Sequence, residues 1–224
     1  RWFRWLERLL SPLLAAPHVA VAIGLAFLIA PSGWIVRAVS PWFTGYTQPP
    51  DVTIVHDAYG LSLLLGLVLK EVPFLLLMTI AALGQVDAQR TQQLAMTLGY
   101  GRMMAWLTGV LPQIYSQIRL PILAVLAFSL SVVDVALVLA PTTPPPLAVQ
   151  LLRWINDADL SLRFMASAGA IVQLVLVCGA IGLWLLSERL VATAARWLIA
   201  GGYRLRADKF LRFGLLALVT AMVA

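Results

Sequence analysis

The chain has 224 residues, of which 61% are hydrophobic and 12% are charged, and its mean hydropathy is +0.90. Soluble globular domains are about 45–50% apolar and about 25% charged, so the composition excludes that class. The net charge of +6 is interpreted first through the positions of Lys and Arg in loops beside a lipid bilayer. No nucleic-acid partner is expected. A single cysteine, Cys178, excludes a disulfide framework and any metal site built from several cysteines.

Four apolar stretches are long enough to cross a bilayer, which takes about 20 residues in a helix. They are residues 9–36, 58–83, 120–140 and 164–187. Backbone polar groups find no water partners in lipid, so each stretch is predicted to be a helix. The predicted fold class is therefore an all-α integral membrane protein.

The distribution of basic residues orients these spans. Segments 1–8, 85–119 and 188–212 contain twelve Lys and Arg, whereas the other two connections contain three. Cytoplasmic loops carry an excess of Lys and Arg, so the chain is predicted to be a multi-pass membrane protein with both flanks in the cytoplasm. Acidic residues mark the proline-rich loops of the opposite face, namely Asp51, Asp57, Asp157 and Asp159.

Three ionisable residues lie inside predicted spans. Lys70 and Glu71 are adjacent near the middle of the second, and Asp134 lies about two-thirds of the way along the third. Such groups cost a few kcal/mol in lipid and should face the bundle interior or water. Two interpretations stay open: a structural pairing, for example of Lys70 with Asp134, or contact with a translocation path. Neighbouring helical residues point about 100° apart, so Lys70 and Glu71 are not expected to face the same narrow path.

The connection between the second and third spans, residues 87–112, carries two amphipathic helical patterns. Their apolar positions are Leu94, Ala95 and Leu98, and then Met104, Leu107 and Leu111. Gly99 is predicted to end the first helix in the left-handed conformation, and Pro112 to mark a break before the next helix. The pattern predicts a cytoplasmic helix–turn–helix with an exposed Tyr, Met and Trp surface for a partner's groove. The alternative is a helix lying flat on the lipid surface.

This connection resembles the EAA loop of the permeases of binding-protein-dependent ABC importers (type I, with a MetI-like domain). The family pattern is Glu-Ala-Ala, three residues, Gly, nine residues, Ile, one residue and Leu-Pro. Residues that match at the same spacing are Ala95, Gly99, Leu111 and Pro112, and those that depart are Gln93, Leu94 and Gly109. The Pro73-Phe74 step in the preceding span is also similar to the family.

The resemblance implies a domain organisation. Residues 1–187 would form most of one MetI-like permease half, a transmembrane bundle of type I importer fold with a cytoplasmic coupling helix. Residues 188–209 would be a basic cytoplasmic linker, and residues 210–224 would open a further membrane helix of the second half. The chain would then be a piece of a longer, fused permease, as in some thiamine and ferric-iron importers.

The resemblance also implies a function and partners. The chain would be the permease component of an ATP-driven importer of the bacterial inner membrane, receiving a small solute from a periplasmic substrate-binding protein and pairing with a second permease half, fused or separate. No phosphate-binding Gly-x4-Gly-Lys-Ser/Thr motif occurs, so cytoplasmic ATP-binding subunits would bind ATP and Mg, and this chain would be no enzyme and hold no cofactor. Residues expected to couple to the ATPase are Gln93, Ala95, Leu98, Gly99, Tyr100, Met103, Met104, Leu111 and Pro112.

Rival functions remain at this point. Lys70, Glu71 and Asp134 are the expected translocation-path residues, and they are compatible with an ion-gradient-driven secondary transporter or a channel as well. A lipid-modifying enzyme would need clustered His, Asp or Glu residues, and the sequence offers none. His18 and His56 lack metal-ligand spacing, so no metal site is predicted. The acidic outer loops favour a cationic substrate without identifying it.

Overall fold

The computed structural model of the chain describes residues 10–12 and 14–200. The predictions for residues 1–8 and 201–224, including the opening of a further membrane helix, lie outside these ranges. Within them the regular structure is entirely helical, and four stretches are long and apolar enough to cross a membrane: His18–Val39, Leu61–Gln85, Arg102–Ser131 and Leu162–Trp197. The prediction of an all-α membrane protein with four spans in this region is confirmed.

The helices follow one another along the chain with short connections. They are α1 (His18–Ile29), α2 (Trp34–Val39), α3 (Leu61–Gln85), α4 (Ala88–Thr97), α5 (Arg102–Ala105), α6 (Leu111–Ser131), α7 (Asp134–Leu139), α8 (Leu147–Ile155) and α9 (Leu162–Ala200). A π-helix, Trp106–Val110, joins α5 directly to α6.

The first span differs from its predicted bounds because prolines interrupt it. The chain leaves helical geometry at Ala16 and Pro17 and again at residues 30–33, between α1 and α2. Proline at 17 and at 31 disfavours the helical conformation of the alanine before each of them. The continuous apolar run of residues 9–36 is therefore three helical pieces.

The third and fourth spans are also shifted. The third helix of membrane-spanning length is Arg102–Ser131, which includes the end of the predicted cytoplasmic connection. It ends before Val132 and Val133, so α7 is a separate short helix and residues 120–140 are not one span. The fourth span continues as one helix to Ala200, which makes residues 188–200 of the predicted linker helical.

The chain forms two compact units. The first comprises the described residues up to Leu77 together with Leu123–Ile181, and the second comprises Met78–Ile122 and the described residues from Gly182 onward. In the first unit α7 is packed among α1, α3 and α8 in a buried cluster. Its members are Ala22, Leu25, Val132, Val135, Ala136, Leu139, Ala140 and Val149.

Polar groups hold the C-terminal end of α7 within the first unit. The Ser62 hydroxyl donates to the Leu139 carbonyl at 2.7 Å, and His56 Nδ1 lies 2.6 Å from the Ala140 carbonyl oxygen. The last carbonyls of a helix have no intrahelical partner, so these contacts satisfy groups that would otherwise be buried unpaired. The second unit has its own smaller core around Ala82, Val110 and Ile114.

Candidate functional site

The predicted helix–turn–helix is present, and its first helix has a well-defined beginning and end. The Asp87 side chain accepts a hydrogen bond from the Arg90 backbone N–H at 3.1 Å and caps α4. At the other end Gly99 has φ +91°, its N–H bonds the Met96 carbonyl, and the Tyr100 N–H bonds the Ala95 carbonyl. This pair of bonds is a Schellman motif, which requires the left-handed conformation that glycine adopts without strain.

The second half of the connection is continuous helix rather than a helix ended by Pro112. The backbone changes to π-helix over Trp106–Val110, where the Leu111 N–H bonds the Trp106 carbonyl, and Pro112 lies in the first turn of α6. Proline is tolerated in a first turn, and the π-turn just before it accommodates the missing donor. The predicted break at Pro112 is therefore wrong, and the chain runs from Arg102 to Ser131 as one helical rod.

Close packing joins α4 to the π-helix. A Cβ atom on Gly109 would lie 3.0 Å from Thr91 Cγ2, and the Gln92 side-chain amide donates to the Arg102 carbonyl at 2.9 Å. Gly109, which departs from the family pattern, thus occupies a position where the two helices touch. Together with the core at Val110 and Ile114, these contacts give the loop a fixed shape.

The exposed surface of the loop comes from α4 and its C-terminal turn. Leu94 and Leu98 are 59% and 64% exposed, and Gln93 is exposed beside them. Ala95, Gly99, Tyr100, Met103 and Leu111 are partly buried, and Met104 is only 8% exposed. The expected Tyr, Met and Trp surface is corrected in part: Met104 packs inside the loop, and Leu94, Leu98 and the 44% exposed Met96 form the accessible apolar surface.

A cavity of about 310 Å³ lies within the first unit, beside the middle of α3. Lys70 and Glu71 both line it, together with His18, Phe74 and Phe128. The expectation that the two residues would not both face a narrow translocation path stays a prediction, because the path itself is a separate proposal. The cavity is wide enough to be reached by two side chains that leave α3 in directions about 100° apart.

The charged groups of this cavity have different partners from those expected. The Lys70 ammonium, 3% exposed, donates to the Leu14 carbonyl at 3.3 Å and to the Ala16 carbonyl at 2.7 Å. Glu71 Oε1 lies 3.3 Å from His18 Nε2. The suggested pairing of Lys70 with Asp134 is wrong, because Asp134 is exposed at the start of α7, beyond the end of the third span.

The sequence analysis missed a polar cluster within the second unit. Glu188 accepts hydrogen bonds from the Tyr115 hydroxyl and, at 3.0 Å, from the Trp184 indole N–H, and its other oxygen lies 2.9 Å from Arg119 Nε. These side chains join α6 to α9. The only sequence signal was an acidic residue four positions after a tryptophan at the end of an apolar run, which predicts no partner on another helix.

No group of His, Cys, Asp or Glu within the part of the chain that the structure describes is arranged to hold a metal ion. The polar groups instead fall into the loop of residues 88–112, the cavity beside Glu71 and the cluster around Glu188. Helices of membrane-spanning length carrying such groups define an all-α, multi-pass membrane protein.

Comparison with known proteins places this architecture among transporters. The chain is 36% identical over 179 residues to the inner membrane ABC transporter permease protein YnjC of Escherichia coli (strain K12). The match includes 79% of this chain and 32% of the relative, so the chain spans about a third of that protein's length. No family model and no solved structure matches the chain significantly. The chain is thus a homologue of an inner membrane ABC permease and a multi-pass protein of that membrane.

Proposed function

We propose that the chain is part of the permease of an ATP-driven importer and that residues 88–112 are the loop through which a cytoplasmic ATPase moves it. The main support for this proposal is the helix–turn–helix of residues 88–112, in which α4 packs against the π-helix. The Schellman turn at Gly99 presents Leu94 and Leu98 side by side on its outer surface. Exposed leucines on a short amphipathic helix are suited to a hydrophobic groove on a partner protein.

The continuity of the helical rod supports transmission of force. The π-helix leads without interruption into α6, so a displacement of the loop would be passed directly to a membrane helix, one that contains Pro121 in its interior. The Thr91–Gly109 contact fixes α4 to the start of that rod. In the proposal, ATP binding and hydrolysis with Mg occur on the partner subunits and bias two arrangements of the bundle.

The remaining partners follow from the relationship to ABC permeases. We propose a second permease half, fused or separate, and a periplasmic substrate-binding protein that delivers the solute to the outer face. The cavity beside Lys70 and Glu71 is the proposed part of the translocation path, since it combines charge with space beside the middle of α3. Asp134, exposed beyond the third span, is not included in it.

The first test is co-purification of the complete permease with its cognate ATPase in detergent, comparing the wild type with Gly99→Asp. An Asp at φ +91° strains the turn by about 1–2 kcal/mol and adds a charge beside the apolar surface, so retained ATPase should fall about tenfold. The matched control is Gly45→Asp, which makes the same change at another glycine of positive φ, with no atom near its Cβ position. This control should keep the ATPase.

Two results would contradict the coupling assignment: no ATPase retained by the wild type, or equal retention by Gly99→Asp. The loop would then be interpreted as a helix lying on the lipid surface. An ion-gradient-driven transporter or a channel would become the better hypothesis. Solute uptake that collapses with the proton gradient, and survives depletion of ATP, would establish the first of these.

A further inference from the structure

The cavity in the first unit contains two charges that are used in different ways. The Lys70 ammonium is directed at the carbonyls of Leu14 and Ala16, at the end of the helical segment that precedes Pro17. Terminal carbonyls of a helix carry partial negative charge and have no intrahelical donors, so a cation there is stabilising. The Lys70 ammonium therefore stabilises backbone carbonyls within the first unit.

Glu71 presents its charge to the cavity instead. Its side chain is 13% exposed, and one carboxylate oxygen accepts a long hydrogen bond, 3.3 Å, from His18. In an apolar surrounding such a charge is costly, and a cation arriving beside it offsets that cost.

The walls around Glu71 are apolar and partly aromatic. Phe74 and Phe128 line the cavity, and the Phe128 ring packs against His18 with a centroid distance of 4.9 Å at 54°. Aromatic faces attract cations, most strongly where water is excluded. A volume of about 310 Å³ is at the lower end of the range of small-molecule sites.

We propose that this cavity binds a small organic cation, a protonated or quaternary amine with an apolar body, with Glu71 facing the charge and Phe74 and Phe128 facing the hydrocarbon. The Lys70 ammonium is directed at backbone carbonyls, which leaves the Glu71 carboxylate as the charged group facing a solute in the cavity. The proposal rests on the proposed function only in placing the cavity on the translocation path. It thereby names the class of solute that crosses.

Binding can be measured on the complete permease in detergent without any ATPase, from the shift of thermal unfolding during titration. The probes are choline, tetraethylammonium and dimethylbutanol, the last of which has the shape of choline with carbon in place of the ammonium nitrogen. At constant ionic strength the cations should raise the unfolding temperature saturably. Dimethylbutanol should bind about tenfold more weakly or worse, because the charge contributes at least about 1.4 kcal/mol.

The decisive variant is Glu71→Gln, which keeps the shape of the side chain and removes its charge. It should weaken choline binding about tenfold, whereas Asp51→Asn, which removes an exposed acid from a loop, should leave it unchanged. If Glu71→Gln does not fold, Phe128→Leu replaces it: removal of the aromatic face should weaken choline binding several-fold and leave dimethylbutanol binding unaltered.

The proposal is overturned if neither cation shifts the unfolding temperature, if dimethylbutanol binds as well as choline, or if the folded variants keep full choline affinity. These outcomes are separate from those of the ATPase experiment. Choline binding without ATPase retention would support the cation site and contradict the assignment of the coupling loop. ATPase retention without choline binding would support the coupling loop and contradict the cation site.

Discussion

Asp57 caps the N-terminus of α3 with both carboxylate oxygens. Oδ2 accepts from the Leu61 N–H at 2.8 Å, and Oδ1 accepts from the Ser62 N–H at 2.9 Å. The Ser62 hydroxyl lies 2.7 Å from Oδ1 and shares its single proton between Oδ1 and the Leu139 carbonyl. The hydrogen bonds from Ser62 and Leu61 favour the ionised form and outweigh partial burial, so the pKa of Asp57 falls to about 2. Ser62 in turn reaches the end of α7, so this cap belongs to the packing of the first unit.

We expect Asp57→Asn to lower stability by about 1 kcal/mol near neutral pH, because the amide keeps a capping oxygen but loses the negative charge that the helix N-terminus favours. The folded pKa lies below the ordinary value of 3.8, so the carboxylate's contribution is complete above that value and is lost as pH falls from about 4 towards 2. Thermal unfolding of the purified protein in detergent at a series of pH values measures both effects.

The matched control for this cap is Asp51→Asn, which removes an exposed carboxylate from the same connection. It should alter the unfolding temperature little, since exposed charges away from caps contribute little to stability. Equal effects of the two substitutions, or a difference between wild type and Asp57→Asn that persists unchanged at the acid end, would show that the carboxylate does not cap the helix through its charge.

Among the helices, α6 and α9 are joined by the Glu188 cluster within the second unit. The Glu188 side chain is 14% exposed and accepts from Tyr115 and Trp184, whereas Arg119 is 50% exposed. Hydrogen bonds to a mostly buried carboxylate contribute more than a half-exposed ion pair does. The cluster thus fastens the helix that leaves the loop to the final described helix.

A double-mutant cycle with Tyr115→Phe and Glu188→Gln should show coupling of about 1 kcal/mol or more, because Tyr115→Phe removes the hydrogen bond and Glu188→Gln removes the charge that strengthens it. Arg119→Gln alone should cost less than about 1 kcal/mol. Denaturant unfolding in detergent gives the free energies. Additive effects of Tyr115→Phe and Glu188→Gln would show that the two side chains do not interact in the folded protein.

The helix breaks are of two kinds: some follow from local residues, and one depends on tertiary contacts. Pro17 and Pro31 break helices as local sterics require, and Gly99 ends α4 as its position predicted. No proline or glycine lies at the break at Val132 and Val133, so the local sequence does not predict it. It depends on tertiary contacts: Gln173 donates to the Leu130 carbonyl at 2.7 Å, and α7 is buried among its neighbours.

Across the whole molecule, the order of the spans and the charges between them predict a single topology. Residues 88–112 should lie in the cytoplasm and residues 40–60 on the outer face. Single cysteines at Gln93 and Asp51, introduced after Cys178→Ser, test this, since both sites are exposed. A membrane-impermeant maleimide should label the Asp51→Cys protein in spheroplasts and the Gln93→Cys protein only after lysis.

Labelling of both positions from the same side would contradict the predicted topology. It would also contradict the proposed contact between the loop and an ATPase. The Cys178→Ser parent is the control, and it should stay unlabelled by this reagent because the chain then contains no cysteine thiol. This result is independent of the substrate.

The sequence by itself determined the membrane class, the four spans and the helix–turn–helix, because hydropathy, charge asymmetry and a glycine in a left-handed turn are local properties. The tertiary structure decided which polar groups meet. Lys70 bonds backbone carbonyls rather than Asp134, Glu71 and His18 share a cavity, and Glu188 joins two helices. Each of these pairs is more than fifty residues apart in the chain, and the direction of a side chain along a span does not identify the helix that it will face.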